Sequence, residues 1–221
     1  LKLYLSSLML GDHGNRLLEM TGVGARMAVI TNALDYIPLE AQLEYTRTNL
    51  DIVSYFAEAG FDPSLVDLRY YFGRSAQLRT LMLRYQVIWA VGGNAFLLRR
   101  AMRESGFDEI IDDILATGVV YAGWSAGACV AGDSLQAIAL MDDPNVTAPG
   151  YSPGEPICEG LGLVPYTIIP HFRSAHPEAA AAEKAMEWVT ARRVQHRTLQ
   201  DGDVLLANGG EAVLLKRRGD E

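Results

Sequence analysis

The sequence predicts an α/β fold, a mostly parallel sheet with helices on both faces. Three observations carry that expectation. Short apolar runs alternate with longer segments of helical period, the pattern of strands joined by crossover helices. One run, Val119-Val120-Tyr121-Ala122, leads directly into Gly123-Trp124-Ser125-Ala126-Gly127 and a small-residue stretch to Ala131. Strand, sharp turn and helix is the context of a nucleophile elbow. Finally, Asn208-Gly209-Gly210-Glu211 separates two apolar runs near the end of the chain, a β-hairpin signal.

The elements follow in order. Leu1 to Leu5 alternates like an opening strand, and Arg26 to Thr31 holds a short buried strand. Pro38 to Ala59 reads as one long helix. Pro38 suits a first turn, Gly60 a stop, and Leu39, Leu43, Leu50, Val53 and Phe56 share a stripe. Ser64 to Leu68 is a short strand, and Ser75 can cap a helix running to about Tyr85. Gln86 to Val91 is a strongly apolar strand ended by Gly92-Gly93-Asn94, with helices following to about Ala116. After the elbow, residues 134–140 read as another strand. Residues 141–164, rich in Pro, Gly and Asp, read as a long irregular excursion, and such loops are usually functional. Thr167-Ile168-Ile169 is a strand ending at Pro170-His171, and Pro177 to about Ala191 is helical. Residues 205–207 and 212–215 flank the hairpin turn.

The 221 residues suit one domain, with no internal boundary or repeat. A net charge of −8 disfavours nucleic acid and anionic membrane, which need a basic face. Lys216-Arg217-Arg218 is the one basic cluster and reads as a solvated tail. No apolar run approaches the ~18 residues of a membrane span, and residues 1–7 do not look like a signal peptide. The two cysteines, Cys129 and Cys158, form no Cys-x-x-Cys pair, which leads us to expect a reducing, cytoplasmic setting. Cys129, four residues past Ser125, reads as a packing residue. We expect no metal and no cofactor. No His-x-x-x-His or Cys/His set is present, and no Gly-Lys-Ser/Thr phosphate loop. Gly22-Val23-Gly24 precedes a strand instead of following one and lacks a third glycine, so it is no dinucleotide loop.

Ser125 needs a base, and the chain offers His13, His171, His176 and His196. His171 is the best placed, directly after a buried strand and oriented by Pro170. His176 is the fallback or a pocket wall. His196 reads as exposed at a helix end and His13 as a loop residue. A third group must hold the imidazole tautomer. Asp201, Asp142 and Asp143 are the candidates, Asp143-Pro144 reading mainly as a turn, and Asp203 reads as a turn residue. The oxyanion donors would be the N–H of Ala126 and an N–H of Gly92-Gly93, where absent side chains let backbone approach a ligand.

Three motifs in register, Val91-Gly92-Gly93-Asn94-Ala95-Phe96, Gly123-Trp124-Ser125-Ala126-Gly127-Ala128 and Ile169-Pro170-His171-Phe172, resemble the peptidase E and cyanophycinase family of serine peptidases. The resemblance runs across nearly the whole chain. It implies a class I glutamine amidotransferase-like fold, Ser125 as nucleophile and His171 as base. Gly92, Gly93 and Ala126 match the oxyanion hole. The family's acidic member is commonly a Glu in Leu-Pro-Glu-Gly; here Leu199-Gln200-Asp201-Gly202 puts Asp201 in that place. Asp142 matches a further acidic residue of some relatives. The implied substrate is a small peptide, with Asn94, Asp142, Arg173 and His176 as candidate substrate contacts, in a monomer or homodimer. Family members specific for N-terminal Asp bind that carboxylate through an Arg after the catalytic His. Glu178 to Met186 contains none, which leaves Arg173 as the substitute. The order Ser, His, Asp differs from the Ser, Asp, His order of an α/β-hydrolase esterase, which would use Asp142 or Asp143. A non-catalytic small-molecule-binding protein on the same fold is the other alternative.

Overall fold

The computed structural model describes residues 1–48 and 50–219. In chain order the strands are β1 (Lys2–Ser6), β2 (Arg26–Ile30), β3 (Asp62–Val66), β4 (Val87–Ala90), β5 (Val120–Trp124), β6 (Thr167–Ile169), β7 (His196–Thr198), β8 (Val204–Asn208) and β9 (Val213–Leu215). The helices are α1 (Gly14–Thr21), α2 (Leu39–Thr48), α3 (Ile52–Glu58), α4 (Ser75–Met82), α5 (Ala95–Glu104), α6 (Phe107–Ala116), α7 (Ala126–Cys129) and α8 (Ala179–Arg192). Among the described residues no helix is long and apolar enough to cross a membrane.

Seven strands form the main sheet in the order β3-β2-β4-β5-β1-β8-β9. The five from β3 to β1 pair in parallel, and β8 runs against its neighbours β1 and β9. Met27 to Ile30, Val87 to Ala90 and Val120 to Ala122 are buried without alternation, as strands covered on both faces must be. The α/β expectation and the closing β8–β9 hairpin therefore hold. Parallel pairing sets the carboxyl ends of β4, β5 and β1 side by side, with Ala90 opposite Gly123 and Trp124 opposite Ser6.

Three expectations need correction. The long helix is two, α2 and α3, because the Asp51 side chain accepts from Val53 N and starts a new helix. The expected helix also crosses Asn49, which lies outside the described residues. Of its stripe, Phe56 is buried, whereas Leu39 and Leu43 are 68% and 53% exposed. Residues 134–140 are not a strand: Ser134 makes one bridge, to Glu159, and Ala137–Leu140 is a 3-10 turn packed on α8. An apolar run of this length fits either structure, and docking on a helix decided it. His196 lies in strand β7, not at a helix end. Asp203 is a turn residue as expected, its N–H donating to the Gln200 carbonyl at 2.9 Å; its fully buried carboxylate also accepts from the N–H groups of Gln200 and Arg217 and from Lys216 Nζ.

The excursion 141–164 is irregular but strapped to α5. Arg100 donates to the carbonyls of Ser152 and Gly154 at 2.7 and 2.8 Å, and Arg99 Nε donates to that of Glu159 at 2.8 Å.

Both glycines of the pentad serve close packing. Neither has a positive φ. A Cβ on Gly123 would lie 2.8 Å from the Ala90 carbonyl oxygen. One on Gly127 would collide with that same carbonyl, 2.7 Å from its carbon. α7 thus rests directly on the backbone of β4. We expect Gly127→Ala to cost at least about 1–3 kcal/mol, the usual penalty of overpacking. Thermal unfolding of the variant checks this, and an unchanged midpoint would contradict the packing argument.

Candidate active site

The backbone at the elbow is strained where the chemistry would occur. Ser125 sits at φ 48°, ψ −114°. Among the described residues five non-glycine residues have positive φ, and Ser125, His171 and Arg173 are three of them. Such conformations cost about 1–3 kcal/mol each and persist where surroundings over-determine them. Here Ser125 N donates to the Ser6 carbonyl at 3.2 Å, fastening the elbow to the end of β1. Among the described residues the Ser125 hydroxyl has no hydrogen-bond partner, and neither do the N–H groups of Gly92, Gly93 and Ala126. Gly92 stands against the elbow, since a Cβ there would lie 3.2 Å from the Ser125 Cβ. Gly93 has φ 132°, and a Cβ would press on the Ala33 carbonyl at 2.6 Å.

His171 and Asp201 are brought together by a second, two-stranded sheet. β6 pairs in parallel with β7, Ile169 opposite Thr198, and Leu199 N donates to the Ile169 carbonyl at 2.9 Å. The residues leaving the two strands stay adjacent, and Phe172 N donates to the Leu199 carbonyl at 3.0 Å. His171 Nδ1 then meets Asp201 Oδ1 at 2.8 Å. The carboxylate fixes Nδ1 as the protonated nitrogen and leaves Nε2 as the acceptor. Burial raises the Asp201 pKa, but hydrogen bonds from His171 and Ser7 outweigh it and hold the carboxyl below its ordinary range.

Ser7 has no signal in the sequence, yet it ties the pair to β1. Its hydroxyl donates to Asp201 Oδ1 at 2.7 Å and accepts from His171 N at 2.8 Å. Glu178, the residue preceding α8, was also missed. Its Oε2 lies 3.8 Å from His171 Nε2. His176 stacks on His171 with ring centroids 3.7 Å apart and planes 8° from parallel. It is a platform for the imidazole, and its Nδ1 accepts from Glu178 N. One ligand atom from each of His171, His176 and Glu178 falls within 4.8 Å of the others. The stacked rings hold their lone pairs in parallel planes, so they do not converge on one ion as a tetrahedral site requires.

The other candidates separate clearly. Asp142 Oδ2 accepts from Ala95 N at 2.7 Å and does not hold His171 Nδ1. Asp143 closes a turn by accepting from Asn145 N. The acid order of an esterase is therefore not the one assembled. Asn94 was expected to touch substrate, but both ends of its amide are engaged. Oδ1 caps α5 at Leu97 N, and Nδ2 donates to the Asp143 carbonyl. It orients the loop that carries Asp142. Arg173 does not face the site as a carboxylate anchor. Its side chain is 65% exposed, 3.4 Å from Glu183, and lies over the Phe172 ring. Cys129 is buried in packing, as expected.

Burial, together with Glu178, raises the Asp142 carboxyl to about 7, against the Ala95 N–H and His171. A raised folded value means the native state binds the proton more tightly than the unfolded chain. This contribution to stability is complete below about 3.8 and is lost as pH rises through about 7. We expect the melting temperature of wild type to fall between pH 4 and 8 more than that of Asp142→Asn, which keeps an acceptor for Ala95 N–H. Parallel pH profiles would remove Asp142 as the source.

Comparison with known proteins decides the family. The model of peptidase family S51 matches residues 31–215. The chain belongs to peptidase family S51. It is 33% identical to the Peptidase E of Salmonella arizonae over 134 residues, covering 58% of this chain and 55% of that protein. It is 31% identical to the Peptidase E of Escherichia coli O1:K1 / APEC over the same shares. The matched region thus spans about half the length of these relatives. A 1.5 Å crystal structure of a Listeria monocytogenes EGD-e protein assigned to peptidase E superposes with a TM-score of 0.73 at 20% identity, covering 97% of this chain and 98% of that one. A peptidase from an acI-B1 Actinobacterium gives 0.60 at 15% identity, covering 98% and 94%. These two likenesses bear on the fold: the S51 member shares their α/β architecture.

Proposed function

We propose that this S51 member is a serine peptidase that hydrolyses small peptides through Ser125, His171 and Asp201. The observation that carries the reading is the 2.8 Å contact between His171 Nδ1 and Asp201 Oδ1. It leaves Nε2 to act as a base, on a histidine that Ser7 ties to the end of β1, where Ser6 also fastens Ser125. In the proposed reaction His171 Nε2 takes the Ser125 proton as Oγ attacks the scissile carbonyl. Asp201 stabilises the resulting imidazolium. The N–H of Ala126 and an N–H of Gly92-Gly93 hold the oxyanion, where each donor is worth about 2.7–4 kcal/mol. His171 returns the proton to the leaving amine. Water, activated by the same nitrogen, then hydrolyses the acyl-enzyme. A cleft of about 510 Å³ between Asp35, Tyr36, Pro38 and Arg69 can hold further peptide. Burial and then the charges of Asp142 and Glu178 raise the hydroxyl of Tyr36 in that cleft.

The test pairs a fluorophosphonate probe with a dipeptide panel. The expected result is one labelled residue, Ser125 by peptide mapping, and dipeptide cleavage that the probe abolishes. A folded protein that neither labels nor cleaves would overturn the reading and leave the binding-protein alternative.

A further inference from the structure

His171 is flanked by carboxylates on both sides. Asp201 occupies Nδ1. Glu178 faces Nε2, the nitrogen that must meet Ser125 and the scissile bond, at 3.8 Å. The Glu178 side chain is 41% exposed, and His171 is its one ion-pair partner among the described residues. Buried Asp142 feels the charges of Glu178 and His171. Arg173, the basic residue nearest His171 in sequence, is turned outward onto Glu183 and Phe172. Among the described residues, the group that faces Nε2 of the imidazole is thus a carboxylate, that of Glu178.

Substrate can supply the opposite charge. In a peptide cleaved after its first residue, the α-ammonium nitrogen lies about 2.5 Å from the attacked carbonyl carbon, two bonds away. A carboxylate beside Nε2 is in reach of that ammonium. The side chain of the same residue enters the field of Glu178 and Asp142. An aspartate there would set a further carboxylate against Glu178 and the part-protonated Asp142, whereas a lysine or arginine would offset their charge. We propose that Glu178 anchors the free α-ammonium of the substrate, and that this chain takes peptides with a basic N-terminal residue in preference to Asp-X. The proposal rests on the serine-peptidase reading and specifies its substrate.

The experiment compares kcat/KM for Lys-Ala, Asp-Ala and N-acetyl-Lys-Ala in wild type, Glu178→Gln and Glu178→Lys. Fluorophosphonate labelling of Ser125 is followed in each. Wild type is expected to prefer Lys-Ala over Asp-Ala at least tenfold and to leave the acetylated peptide uncut. Glu178→Gln should erase the preference chiefly through KM, and Glu178→Lys should reverse it, with Ser125 still labelled in both. A purely structural role would lower all substrates together and leave the ratio in place. Preference of wild type for Asp-Ala, an unchanged ratio in Glu178→Gln, or labelling of Ser125 without cleavage of any of the three would each overturn the proposal. Failure of folded wild type to label would instead remove the Ser125 reading, and the proposal with it.

Discussion

Ser125→Ala is expected to lower kcat by about a million-fold, the effect of removing the nucleophile from a working triad. Stability should barely change. The Ser125 hydroxyl has no partner among the described residues, so its loss leaves no buried group unsatisfied. The strained φ of 48° is no worse for alanine than for serine, since both carry a Cβ. The melting temperature should therefore shift by no more than a surface substitution would cause, about 0.5 kcal/mol equivalent. Hydrolysis of the best dipeptide, followed with circular dichroism on the same sample, checks both halves. A folded variant that retains more than about one-thousandth of the rate would remove Ser125 from the chemistry, because oxyanion donors and binding alone leave only a small residue of catalysis.

The elbow was legible in the sequence because its causes are local. Gly123 and Gly127 must be small to let α7 lie on the Ala90 carbonyl, and Val120 to Ala122 must be apolar to be buried on both faces. The parallel core strands were legible for the same reason. What depends on distant partners was not. The break between α2 and α3 turns on one side chain, Asp51, capping Val53 within an otherwise continuous helical pattern. Residues 134–140 have the apolarity of a strand, and packing against α8 makes them a turn. Ser7 lies 164 residues from His171, and a serine after a strand carries no mark of such a contact. Glu178 reads as an ordinary residue before a helix until folding sets it at the His171 imidazole. The pairing of His171 with Asp201 came from family resemblance. Its physical cause, the small β6–β7 sheet, emerges only in the folded chain.

Asp201→Asn is expected to lower kcat by about ten-thousand-fold with little change in KM. Asp201 Oδ1 accepts from two donors, His171 Nδ1 at 2.8 Å and the Ser7 hydroxyl at 2.7 Å. An asparagine can present its oxygen and keep the tautomer, but then the imidazolium of the transition state has lost its counter-charge. It can instead present its NH2, and His171 must then carry its proton on Nε2, where it cannot accept one from Ser125. Ser7 does not settle the choice, because its hydroxyl can rotate to donate or accept. Either outcome removes transition-state stabilisation while leaving ground-state contacts intact, which is why kcat and not KM should report it. Asp142→Asn is the control. Its carboxyl touches Ala95 N and not His171 Nδ1, so its kcat should fall less than tenfold. The two variants also separate with pH. The wild-type Asp201 carboxyl is held below its ordinary range and stays charged throughout neutral pH, so its loss costs the same at pH 6 and pH 8. Asp142 changes charge near 7, so any effect of its replacement should differ between those two values. If Asp142→Asn proved the more damaging, Asp142 would be the acid that serves His171 in turnover.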